Sequence, residues 1–103
     1  MDVVLEFYHG DLCATGPVIR AEIVTSAQEA AKAAQEMANY NWPFSWGVAS
    51  LEYLRATAQK DRVPYPEAPE LLSIGRAVET ALINAGRPKA AGEGCVLIKG
   101  ARR

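Results

Sequence analysis

VVLEFY at positions 3–8 and VIRAEIV at positions 18–24 are the stretches on which the reading of the fold turns. Each alternates: Val3, Leu5 and Phe7 share one side of an extended chain, with Val4, Glu6 and Tyr8 on the other. Ile19, Ala21 and Ile23 are set against Val18, Arg20, Glu22 and Val24 in the same way. Period two in β-branched and aromatic residues predicts two half-buried strands. Placing Tyr8 opposite Val18 brings Phe7 to Ile19, Leu5 to Ala21 and Val3 to Ile23, with Glu6 beside Arg20 on the outer face. That agreement predicts an antiparallel hairpin. The nine residues between the runs, with Gly10, Asp11, Gly16 and Pro17, make a loop too long for a tight turn.

Working outward, Ser26 and Glu29 have capping-box spacing and predict a helix start. Ala27, Ala30, Ala31, Ala34, Met37 and Ala38 make its apolar face, narrow enough to lie close on a sheet. Positions 48–60 fit a helix capped by Ser45 somewhat better than a strand. Asp61 to Pro69, with Pro64, Pro66 and Pro69, is a connector. A helix then runs from Pro69 to about Ala85 on a stripe of Leu71, Ile74, Gly75, Val78, Ala81 and Leu82. Gly86 is its left-handed cap, and Pro88 lies just beyond. Gly75 inside the stripe predicts a close crossing with another element. Lys89 to Gly94 reads as a loop, and Cys95 to Ile98 as a buried strand beside the hairpin. The fold expected is α+β: a small antiparallel or mixed sheet covered by two or three helices, in the order β-β-α-(α or β)-α-β.

With 103 residues, 50% hydrophobic and 22% charged, the chain is expected to form a single compact domain over residues 1–103. No apolar run approaches the roughly 20 residues of a transmembrane helix, and the N-terminus lacks a signal-peptide pattern. Two distant cysteines are too few for a disulfide scaffold, so free thiols and a cytoplasmic location are the expectation. A net charge of −1 argues against a domain devoted to nucleic acid.

Sequence motifs for chemistry are sparse. His9, Asp11 and Cys13 lie within five residues and suggest an activated thiol, but one loop holds all three loosely. His9, Asp11, Cys13 and Cys95 lack the paired spacing of a metal site. Gly92-Glu93-Gly94 precedes a strand, whereas a phosphate loop must open a helix. No cofactor or metal is therefore assigned.

Two surfaces remain. Tyr40, Trp42, Phe44 and Trp46 hold four of the eight aromatics within seven residues, around Pro43. Extended chain there sets the rings on one side, either as partner anchors or as core for the alanine-rich helix. From Arg87 onward the net charge is +4, against −5 before it. The favoured expectation is a non-enzymatic module binding another protein through its aromatic and acidic surface, as adaptor, regulator or inhibitor. The absence of an acid–base pair, metal cluster or phosphate loop sets that expectation, and small size with missing motifs extends it to inhibitors of phage and mobile-element type, such as anti-CRISPR proteins. The alternatives are nucleic-acid contact through Arg87, Lys89, Lys99, Arg102 and Arg103, or a thiol enzyme centred on Cys13. No membrane partner is expected, and the chain can be monomer or homodimer.

Overall fold

The computed structural model describes residues 1–13, 15–58, 69–98 and 101–102. Strands β1 (Val3–His9) and β2 (Val18–Val24) form the hairpin, helix α1 (Ala27–Met37) follows, and strand β3 (Phe44–Ser50) runs directly into helix α2 (Leu51–Ala58). Helix α3 (Pro69–Asn84), the single turn α4 (Pro88–Ala91), strand β4 (Gly94–Ile98) and the two-residue β5 (Ala101–Arg102) complete the order. The sheet is mixed, in the order β2-β1-β3-β4-β5, antiparallel except for the parallel pair β3–β4. This is the α+β class read from the sequence. The proline-rich connector, apart from Pro69, lies outside the described residues.

The hairpin forms, but its register is one residue off over most of its length. Tyr8 does face Val18; a bulge then intervenes, and Phe7 pairs with Arg20, Leu5 with Glu22 and Val3 with Val24. A one-residue slip exchanges the two faces of a strand. Arg20, Glu22 and Val24 therefore lie on the face of Val3, Leu5 and Phe7, while Ala21 and Ile23 turn outward and are exposed. The expected Glu6–Arg20 pair does not exist. Arg20 bonds Glu22 and reaches across to Glu36 of α1, at 2.9 and 2.7 Å.

Alternation along β3 sets Phe44, Trp46 and Val48 beside Leu5 and Phe7 on the helix-covered face. There they meet Ala30, Ala33, Ala34 and Met37 of α1 and Leu71, Ile74, Val78, Ala81 and Leu82 of α3. Ser26 caps α1 by accepting the Glu29 amide. The returning Glu29 carboxylate goes to the hydroxyl and amide of Thr25, one residue earlier than the capping box predicted. Those two bonds, the hydroxyl first, hold the Glu29 carboxyl below its ordinary pKa.

The segment 48–60 divides. Val48–Ser50 continue β3, and the helix starts at Leu51 with the Ser50 hydroxyl accepting the Tyr53 amide. Ser45, the cap expected from sequence, is buried in mid-strand, and its hydroxyl has no hydrogen-bond partner among the described residues. The expected loop 89–94 contains α4, opened by Pro88 at its first turn. Gly86, at a φ of 83°, terminates α3 as predicted.

On the opposite face of the sheet, Tyr8, Ala49 and Cys95 make a second, smaller core with Cys13 from the β1–β2 loop, and Leu54 of α2 packs on it. Burial first, then the hydrogen bond and negative charge of Glu6, push the Tyr8 hydroxyl above its ordinary pKa. Cys13 and Cys95 are joined as a disulfide across this core, so neither is the free thiol expected.

Candidate functional site

The four aromatics do not act as one group. Phe44 and Trp46 are strand residues with side chains in the main core, exposed by 1% and 5%. Trp46 donates its indole N–H to the Ala90 carbonyl at 3.1 Å, a bond that ties α4 to the sheet. Tyr40 is half-buried, edge-on to both Phe44 and His9, and its hydroxyl lies 2.7 Å from His9 Nδ1. Trp42 alone of the four projects outward, 61% exposed, with His9 at its edge. Phe44 and Trp46 thus serve the core, and the surface role passes to Trp42.

Arg87, grouped from sequence with the free cations, is committed internally. Its guanidinium donates to the carbonyls of Ala38, Tyr40 and Trp42 and stands 4.7 Å from the centroid of the Phe44 ring. Ala38 caps the end of α1, so the side chain satisfies a carbonyl that the helix cannot. The three carbonyls span residues 38–42, and one planar donor fork fixes the whole turn that carries Trp42.

Beneath Trp42 lies a cleft of about 410 Å3, walled by Phe44, Arg87, Lys89, Asp11 and Glu93. Its size is at the lower end of ligand sites, enough for one or two side chains of a partner. Lys89 stands 3.7 Å from Asp11 across one rim, an exposed pair contributing about 0–1 kcal/mol. The structure therefore brings together members of the two surfaces that the sequence kept apart: Trp42 and Phe44 from one, Arg87 and Lys89 from the other. The sequence offers Asp11 only for thiol or metal chemistry beside Cys13, and Glu93 only in a rejected phosphate loop, so neither is expected at a partner surface. Each lies two residues before a cysteine, and the Cys13–Cys95 disulfide ties together two segments that the sheet topology places side by side.

The other candidates fare differently. Lys99 and Arg103 lie outside the described residues, and the Arg102 backbone, in β5, pairs with Leu97 of β4. Cys13 is fully buried and bonded to Cys95, which removes the nucleophile of the thiol-enzyme alternative. Among the described residues, no group of three or more His, Cys, Asp or Glu could hold a metal ion. No described helix is long and apolar enough to cross a membrane. Comparisons with protein-family models, curated proteins and solved structures find no match.

Proposed function

We propose that this chain is a protein-binding module whose partner docks on Trp42 and the cleft beneath it. The observation that carries the reading is Trp42 itself: a large ring, mostly exposed, on a backbone turn that Arg87 holds at three carbonyls. An anchor presented on a fixed backbone has little ordering entropy left to lose on binding, which is the property of interface hot spots. Away from the cleft, exposed carboxylates on the helices, Glu29, Glu52 and Glu79 among them, add to the acidic field that steers a basic partner. An adaptor, a regulator and an inhibitor would all use such a surface. The nucleic-acid alternative is weakened, because Arg87 is spent on the backbone and Lys89 faces Asp11. The Cys13–Cys95 bond supports an oxidising setting in place of a reducing cytoplasm.

The test compares Trp42→Ala with wild type as bait for partner capture, followed by titration of whatever is captured. Binding should weaken by about 2 kcal/mol or more, with the melting temperature nearly unchanged because the ring is exposed. Equal affinity of the two baits would refute the reading.

A further inference from the structure

We propose that β2 pairs antiparallel with the β2 of a second copy of this chain, centred on Ala21, joining two sheets into one across a two-fold axis. β2 is an edge strand: β1 occupies one side, and none of the described strands pairs with the other. An open seven-residue edge carries unpaired backbone donors and acceptors and is a template for strand addition.

The sequence of this edge identifies its occupant. Val18-Ile19-Arg20-Ala21-Glu22-Ile23-Val24 is a near mirror of itself about Ala21: valine answers valine, isoleucine answers isoleucine, and arginine answers glutamate. A two-fold axis perpendicular to a continuous sheet must pass through a residue position, because directly opposed side chains lie on the same face. Centred on Arg20 or on Glu22, the pairing opposes like charges. Centred on Ala21, it opposes the smallest side chain to itself and sets each Arg20 against Glu22 of the partner subunit.

The structure places both charges where this register needs them. Arg20 and Glu22 lie on the same face, about one-third exposed, and both bonds between them fall on Oε1 of Glu22. On the other face Ala21 is exposed, and Ile23 and Val18 are 52% and 50% exposed. Two such edges side by side would cover these apolar residues. The hairpin bulge puts Val18 on the face of Ala21 and leaves Val24 on the face of Arg20, so the two-fold register is regular over Arg20, Ala21 and Glu22, and the two ends of the strand lie outside it.

Sedimentation equilibrium of the full chain, from about 10 µM to about 1 mM at low salt, brackets an association of this size. The mass should rise toward two chains. Glu22→Arg and Arg20→Glu should each weaken the dimer about tenfold or more, since each opposes like charges twice. An equimolar mixture of the two variants should regain association, because the mixed dimer restores opposite charges at every pair. In the wild type, amide exchange along β2 should slow as concentration rises. A wild-type mass that stays at one chain overturns the proposal. So do single variants that dimerise like wild type, folded variants whose mixture gains nothing, or β2 exchange that ignores concentration.

Discussion

Arg87 and Trp42 show how one side chain decides whether another is surface or core. Trp42 stays outside although its neighbours at 40, 44 and 46 are drawn inward, because Pro43 and the Arg87 bonds to residues 38, 40 and 42 fix the turn before β3 begins. Replacing Arg87 with alanine strands three carbonyls and removes the cation from the Phe44 ring. The expected loss is about 2–3 kcal/mol in urea unfolding. Arg87→Lys should recover less than half of it, because a single ammonium cannot span carbonyls that Nη1 and Nη2 reach in different directions. Full recovery by lysine would mean that charge, and not the planar fork, holds the turn. This role was not legible in the sequence. A cation near the C-terminus announces its charge, but nothing local announces that its acceptors lie more than forty residues earlier.

At the scale of elements, what depends on local pattern was legible and what depends on a single inserted residue was not. The strands of the hairpin, Ser26 as a cap, the stripe of α3 and the Gly86 terminus follow from period and capping chemistry. The hairpin register does not, because a bulge at Ile19 looks like any other strand residue until its partner strand is present. Ser45 and Ser50 are equally good caps in isolation. The strand pairing of β3 with β1 takes Ser45 and leaves the cap to Ser50. The close crossing of a helix or strand expected at Gly75 is not found; what lies over it is the Trp46 ring. A β-carbon at Gly75 would stand 3.8 Å from that ring, an ordinary contact, whereas one at Gly94 would overlap it. Gly75→Ala should therefore stabilise α3 by about 0.5–1 kcal/mol. Gly75→Leu should destabilise by about 1–3 kcal/mol through overpacking, and Gly94→Ala should also destabilise. Thermal melts of the three variants check the ordering; a stabilised Gly75→Leu would mean that the ring moves freely.

For the whole molecule, the sheet has two unequal cores, and the covalent bond lies in the smaller one. The main core takes the sheet face under α1 and α3. Among the described residues, the second consists of Tyr8, Cys13, Ala49 and Cys95 with Leu54 against them, and it contains the side chain by which the β1–β2 loop is held, Cys13. The disulfide links residues 82 apart in sequence. Their pairing is not the expectation from sequence, because two cysteines make no disulfide scaffold and nothing in the sequence argues for an oxidising compartment. It is the topology, with β4 parallel to β3 on the side away from β1, that brings them together. Closing a loop of that length removes unfolded-state entropy equivalent to about 4.5 kcal/mol in the chain-entropy model, and native disulfides contribute about 2–5 kcal/mol. Reduction should accordingly lower the melting temperature by about 8 °C or more, at about 4–8 °C per kcal/mol for a domain of this size. Cys13→Ala with Cys95→Ala should melt near the reduced wild type and ignore added reductant. The loss should first appear as faster amide exchange between His9 and Pro17, where Asp11 forms one wall of the Trp42 cleft. Unchanged melting on verified reduction would show that the second core holds the loop without the bond.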